Sequence, residues 1–99
     1  MPHEARRKRR ARIPDHVVQR DFPSETVVLN LETGRYHSLN TTARRMLNAL
    51  HEADSIGSAA ASLAREFSVS YDQVERDLLD LCDALAHRGL LELDDAQAA

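Results

Sequence analysis

The sequence predicts an α+β domain in which a three-stranded antiparallel sheet is followed by three helices. Two observations lead to this prediction. In the first part of the chain, short runs of alternating apolar and polar residues are separated by turn residues. In the rest of the chain, apolar residues recur at intervals of three and four, and capping residues separate these stretches. With 99 residues, of which 42% are hydrophobic, the chain is expected to build one domain with a modest core.

The two ends of the chain carry opposite charge and are predicted to lie outside the domain, which spans 14–93. Seven Arg or Lys residues stand against two acids in the first 20 residues, and eight acids stand against two arginines in the last 29. Residues 1–13 are therefore expected to form a disordered basic arm, because like charges repel and no apolar pattern holds them. Residues 94–99 are expected to fray as an acidic tail.

Three strands are predicted, at 17–22, 26–31 and 35–39. Pro23-Ser24-Glu25 separates the first two, and Glu32-Thr33-Gly34 separates the second from the third. Asn40-Thr41-Thr42 then reads as the cap of a helix. Consecutive antiparallel strands form a meander, so each of its two outer strands has a free edge.

Three apolar stripes predict three helices. They are Ala43, Met46, Leu47 and Leu50; Ile56, Ala60, Leu63, Ala64 and Phe67; and Val74, Leu78, Leu81 and Leu85. Ser55 and Ser70 suit the caps of the second and third helices, and Gly89 suits the end of the third. On the third helix Leu79, Cys82 and Ala86 widen the apolar arc, so that this flank either packs in the core or lines a groove. Residues 90–93 are predicted as a closing strand or an extended tail.

The residue types give no pattern for catalysis, for a metal or for a cofactor. None of the five histidines stands three or four residues from another, and the single cysteine, Cys82, is expected to be a small buried hydrophobic residue. Three glycines provide no phosphate-binding loop. The lone cysteine favours a reducing, cytoplasmic location, and no apolar run is long enough to cross a membrane. We expect a non-catalytic protein without metal or cofactor.

Three segments in this order resemble the PqqD-like family, whose members are the peptide-binding domains called RiPP recognition elements. The segments are ETGRYHSLNTTA at 32–43, VERDLLDLCDAL at 74–85 and RGLL at 88–91. The resemblance extends over about residues 14–93. Residues 33–40 are most similar to the stand-alone leader-peptide-binding proteins of lasso-peptide biosynthesis.

The resemblance implies a fold and a role. The fold is winged-helix-like, with a three-stranded antiparallel sheet and a three-helix bundle. The leader segment of a ribosomally made precursor peptide would add as a fourth strand beside the third strand, in a groove against the third helix. The bound precursor would then be presented to a transglutaminase-like leader peptidase or another modifying enzyme.

The residues expected to bind the peptide lie on the third strand and the third helix. They are Arg35, Tyr36, His37, Ser38, Leu39, Asp77, Leu78, Asp80 and Leu81. Arg35, His37 and Leu39 should share one face of the strand and Tyr36 and Ser38 the other. Proline at position 37 is expected to remove a backbone donor from the free edge. Tyr36, Leu39, Leu78 and Leu81 could instead pack in the core, which is the alternative to a role in peptide binding.

Two other functions stay open at this point. The order of sheet and helices is also that of a winged-helix module that binds nucleic acid through the basic arm. Against this stands the third helix, which would enter the major groove but carries more acids than arginines, so the phosphates would repel it. A protein–protein adaptor that binds no precursor peptide is the third possibility.

Overall fold

The computed structural model describes residues 9–95, which form five strands and three helices. The strands are β1 (Arg9–Arg12), β2 (Val17–Asp21), β3 (Thr26–Asn30), β4 (Tyr36–Leu39) and β5 (Glu92–Asp95), and the helices are α1 (Thr41–Glu52), α2 (Ile56–Phe67) and α3 (Tyr71–His87). Strands β2, β3 and β4 form an antiparallel sheet in that order. The predicted α+β class, with a three-stranded meander followed by three helices, is confirmed.

The sheet has one buried face and one partly open face. Val28 on β3 lies opposite Gln19 on β2 and His37 on β4, so these residues share a face. Along β3, Thr26, Val28 and Asn30 are buried, whereas the residues between them are only half-buried. The alternation expected of a strand with one face on a core is therefore present in β3.

Asn30 determines where the β3–β4 hairpin turns. Its side-chain oxygen accepts hydrogen bonds from the backbone N–H groups of Glu32 (2.9 Å) and Thr33 (3.2 Å). Gly34, with φ of +77°, donates its N–H to the Asn30 carbonyl at 2.8 Å. Because this polar side chain takes up the first turn amides, each of the two strands is one residue shorter at the turn than predicted.

Each helix is preceded by a residue whose side chain accepts a backbone hydrogen bond. The caps are Asn40 for α1, Ser55 for α2 and Ser70 for α3, and they accept from the N–H groups of Ala43, Ser58 and Gln73. Such caps satisfy donors that have no partner inside the helix. The predicted starts of the three helices are confirmed.

The core is aliphatic, and it includes the flank of α3 whose role was open. Leu79 and Cys82 are buried, and only Ala86 of that flank is exposed. Glu75, also buried on α3, accepts a hydrogen bond from the Tyr71 hydroxyl at 3.1 Å. This flank is part of the core and does not line a groove.

The two ends of the described part of the chain pair as a second, two-stranded antiparallel sheet of β1 and β5. The expectation of a disordered arm through residue 13 is wrong for 9–12, because Ala11 is buried and Arg12 pairs with Glu92 and Asp94. The first two residues of the predicted tail, 94 and 95, likewise belong to β5. The remaining parts of that arm and tail, 1–8 and 96–99, lie outside the described residues.

Candidate functional site

The outer edge of β4 carries backbone groups that the sheet does not use. Among the described strands, only β3 pairs with β4. The Asn30 N–H donates to the Arg35 carbonyl at 2.8 Å, and this bond shows which residue pairs of β3 and β4 are hydrogen-bonded. Bonded and non-bonded pairs alternate between antiparallel strands. The N–H and C=O groups of Tyr36 and Ser38 therefore face away from β3, where a further strand can bond to them.

This alternation corrects the expectation that proline at position 37 removes a backbone donor from the free edge. His37 lies opposite Val28 in a bonded position of the ladder, so its N–H faces β3 and not the free edge. Proline at position 37 would therefore break the sheet itself. Proline removes an outward donor at Tyr36 or at Ser38 instead.

An open cleft of about 450 Å³ runs along this edge. It is lined by Gly34, Arg35, Tyr36, His37, Ser38 and Arg88. The first five belong to the hairpin and the last is the C-cap residue of α3. The structure thus brings four predicted binding residues together with two that were not predicted, Gly34 and Arg88.

Asn30 and Arg35 hold the hairpin against the end of α3. The Asn30 side-chain amide donates to the Gly89 carbonyl at 3.0 Å. The Arg35 guanidinium donates to the His87 carbonyl at 3.5 Å, at the limit of a hydrogen bond. The cleft consequently has a wall on β4 and a wall on the last turn of α3.

One face of α3 extends from this cleft toward the start of the helix. Asp77, Leu81, Ala84 and Arg88 recur at helical spacing and so share a face. Leu81 and Ala84 are half-buried and Asp77 is exposed, as is the adjacent Asp80. Asp77 thus lies on the same face of α3 as Arg88, about three turns from it, and the adjacent Asp80 lies about two turns from Arg88.

A second, smaller pocket of about 170 Å³ lies at the Asp77 end of that face. It is lined by Thr42, Met46, Phe67, Val69, Gln73, Val74 and Asp77, from all three helices and the α2–α3 connection. The Gln73 side-chain amide donates to both carboxylate oxygens of Asp77, at 3.2 and 3.3 Å. The Asp77 carboxylate is therefore held at the rim of an apolar pocket.

Two predicted binding residues are core residues. The side chains of Leu39 and Leu78 are 1% and 0% exposed, so neither has a surface that a peptide can contact. Leu39 ends β4 on the buried face, and Leu78 lies on the core side of α3. Tyr36, by contrast, is 61% exposed, and the competing core role does not apply to it.

The cleft is electrostatically positive at its Arg88 end. Burial and, to a smaller extent, the nearby Arg88 charge lower the pKa of His37 below its ordinary value. His37 is therefore expected to be neutral at pH 7, and the charge on this wall comes from the two arginines.

Sequence reasoning missed Arg88 because it was assigned only to the end of the helix. The available signal was its position eleven residues after Asp77, on the same helical face. The pocket near Asp77 was not predicted either, because the sequence pattern assigned Phe67 to an apolar stripe in the core and Val69 to a loop. No sequence pattern shows that these residues leave a gap against α1.

Two searches of the described residues gave negative results. Within 9–95, no group of three or more His, Cys, Asp or Glu side chains is placed to hold a metal ion. Over the same range, no helix is both long and apolar enough to cross a membrane.

Comparisons with known proteins found similarity over most of the chain. A family model described as "Coenzyme PQQ synthesis protein D (PqqD)" matches residues 25–91. A solved structure described as "TbiB1 in Complex with the TbiA(beta) Leader Peptide" has 37% sequence identity and a TM-score of 0.73, and the match covers 82% of this chain and 94% of that one.

A second solved structure, "Lasso peptide synthetase B1 complexed with the leader peptide", has 26% identity and a TM-score of 0.74. That match covers 83% of this chain and 96% of the other. The comparison with curated proteins gave no match. The family match includes the whole β4 cleft and its α3 wall.

Proposed function

Since this chain belongs to the PqqD family, we propose that it binds the leader segment of a ribosomally made precursor peptide in lasso-peptide biosynthesis. The leader adds as a further strand beside β4. The free edge of β4 above the cleft is the observation that carries this proposal. The two similar structures, each named as a complex with a leader peptide, support it.

Binding by strand addition divides the work between backbone and side chains. The outward backbone groups of Tyr36 and Ser38 provide affinity that does not depend on peptide sequence. The cleft beside them and the apolar pocket near Asp77 receive alternate side chains of the peptide and provide specificity. The half-buried Leu81 gives the groove an apolar floor between these two places.

We propose further that the protein is an adaptor that performs no chemistry on the peptide. Binding beside β4 would hold the leader while the rest of the precursor extends toward a leader peptidase or another modifying enzyme. The cytoplasmic location favoured by the single cysteine stays a prediction.

The test is a titration of the full chain with fluorescein-labelled leader peptides. The probes are the TbiA(beta) leader and the leader segments encoded by short open reading frames beside the gene for this chain. We expect saturable binding with a dissociation constant of roughly 10 µM or below. If none of these peptides binds at up to roughly 100 µM protein, the proposed function is wrong.

The matched variants Ser38→Pro and Ser38→Ala test strand addition. Proline removes the outward N–H, whereas alanine removes only the hydroxyl, which bonds to the Glu25 carboxylate. We expect Ser38→Pro to weaken leader binding by roughly tenfold or more and Ser38→Ala by less than about threefold. Circular dichroism checks that both variants fold. Equal affinity of the two folded variants would contradict strand addition.

Nothing in the described structure favours the nucleic-acid alternative. Arg12 of the basic segment is paired with Glu92 and Asp94 across the β1–β5 sheet. Asp72, Asp77, Asp80 and Asp83 are exposed on α3, the helix that would have to approach phosphates.

A further inference from the structure

Two arginines at one end of the cleft have no acidic partner among the side chains that the structure describes. Arg35 is exposed on the hairpin and Arg88 is half-buried after α3. Among the described side chains, which run from Arg9 to Asp94, no carboxylate lies within ion-pairing distance of either guanidinium. The Arg35 side chain has one hydrogen bond there, the long contact to the His87 carbonyl. Most of the ten N–H donors of the two side chains are therefore available to a ligand.

The arrangement is more than a solvated pair of surface charges. Both residues line the same cleft as the free strand edge. The Arg88 charge is close enough to His37, in the middle of β4, to contribute to the lowered pKa of that residue. An anion in the cleft would be attracted by both arginines.

We propose that Arg35 and Arg88 form a carboxylate-recognition subsite that binds an aspartate or glutamate side chain of the peptide paired with β4. This inference rests on the proposed leader binding. The planar guanidinium group suits carboxylate because it can donate two parallel hydrogen bonds to the two oxygens. A leader is followed by the rest of its precursor, so a side chain and not a terminal carboxylate is the ligand.

The opposite charge at the far end of the groove adds a spacing rule. Asp77 precedes Arg88 by eleven residues of helix, which is about 16 Å. An extended peptide covers that distance in about five residues. An antiparallel peptide enters beside Leu39 and leaves beside Arg35. The subsite therefore selects an acidic residue about five positions after a lysine or arginine that lies near Asp77 and Asp80.

The experiment is a selection that needs no known leader. Random 14-residue peptides are selected by mRNA display on the full chain, on the double variant Arg35→Gln/Arg88→Gln, and on a control, Arg65→Gln/Arg76→Gln. The control removes the same charge from exposed positions outside the cleft. We expect the wild type and the control to enrich an acid about five positions after a base, and the cleft variant to lose the preference for the acid.

One enriched peptide then provides a thermodynamic cycle. Changing its acidic residue to the amide should weaken binding to the wild type by roughly tenfold and leave binding to the cleft variant nearly unchanged. Amidation of the peptide C-terminus should have little effect. A loss on amidation without a loss on the side-chain change would overturn the inference, since the terminal carboxylate would then be the ligand.

The outcomes separate this inference from the function on which it rests. N-methylation of alternate backbone amides in the peptide blocks strand pairing without altering the protein. If N-methylation weakens the binding of the selected peptides but these peptides show no preference for an acidic residue, the carboxylate subsite is wrong and strand addition still stands. If leader peptides do not bind and the selected peptides are insensitive to methylation, the proposed function is wrong as well.

Discussion

Asn30 links the two walls of the cleft through a single side chain. It is 2% exposed, its oxygen accepts two turn amides, and its amide group donates to the Gly89 carbonyl 59 residues later. Gly89 has φ of +70°, and a Cβ there would approach the Asn30 amide nitrogen to 3.0 Å. The close approach of hairpin and helix end therefore depends on an asparagine and a glycine together.

Asn30→Ala should lower the free energy of unfolding by roughly 2–3 kcal/mol, because it leaves several backbone groups without their partner. It should also weaken leader binding, since the hairpin would no longer be held against α3. Urea unfolding and the peptide titration measure the two effects. Thr33→Ala in the same turn is the control, since its hydroxyl accepts one exposed bond, from the Arg35 N–H at 3.1 Å. If Asn30→Ala lowers the free energy of unfolding no more than Thr33→Ala does, the role assigned to Asn30 is wrong.

His37 reports on the charge of the cleft. Burial and the Arg88 charge both lower its pKa, so Arg88→Gln should raise that pKa toward its ordinary value. The unfolded chain takes up the proton at a higher pH than the folded chain does. The contribution of His37 to stability is therefore lost as the pH falls from about 6.5 through the folded pKa.

NMR titration of the His37 ring protons measures this shift. Arg65→Gln, which removes a charge on α2, should leave the titration unchanged. A wild-type pKa at or above the ordinary value would contradict the described environment.

At the scale of elements, α3 has two faces with different tasks. Leu78, Leu79, Cys82 and Leu85 are buried in the core. The Asp77–Arg88 face is half-open and forms one wall of the groove. A rotation of the helix by a fraction of a turn would exchange these roles, since adjacent residues on a helix differ in direction by about 100°.

The pair Leu78→Ala and Leu81→Ala separates the two faces. Leu78 is fully buried, so its truncation should cost about 3 kcal/mol of unfolding free energy. Leu81 is half-buried, and its truncation should cost about 1 kcal/mol while weakening leader binding severalfold. Urea unfolding and peptide titration of both variants provide the comparison. If Leu81→Ala leaves the affinity unchanged, α3 is not the second wall of the binding groove.

At the scale of the whole molecule, the β1–β5 sheet joins the ends of the described chain. Positive β1 lies against negative β5, and Arg12 contacts Glu92 and Asp94. These contacts are exposed, and exposed ion pairs contribute little. The buried residues Ala11 and Leu91 indicate that apolar packing also holds the segment.

Removal of residues 1–12 should therefore destabilise the domain by roughly 1–3 kcal/mol, because it deletes β1 and uncovers its neighbours. Arg12→Gln alone should cost less than about 1 kcal/mol, and this cost should shrink in high salt. Thermal unfolding at two salt concentrations compares the variants. An unchanged melting temperature after the deletion would show that β1 contributes nothing to the fold.

The sequence by itself determined the fold class, the hairpin, the helix caps and most of the apolar stripes. These features depend on signals within a few residues, such as an asparagine or serine before a helix or a glycine at a turn. The same local pattern correctly placed Tyr36 and Ser38 on one face of β4 and His37 and Leu39 on the other.

Only the tertiary structure decided which groups the binding edge offers. The alternation of hydrogen-bonded pairs between β3 and β4 directs the N–H of Ser38 outward and that of His37 toward β3. The rotation of α3 about its axis buries Leu78 and brings Arg88 into the cleft. The pairing of a basic first strand with an acidic last strand also appeared only there. Such features depend on register and on contacts between distant residues, which local periodicity does not encode.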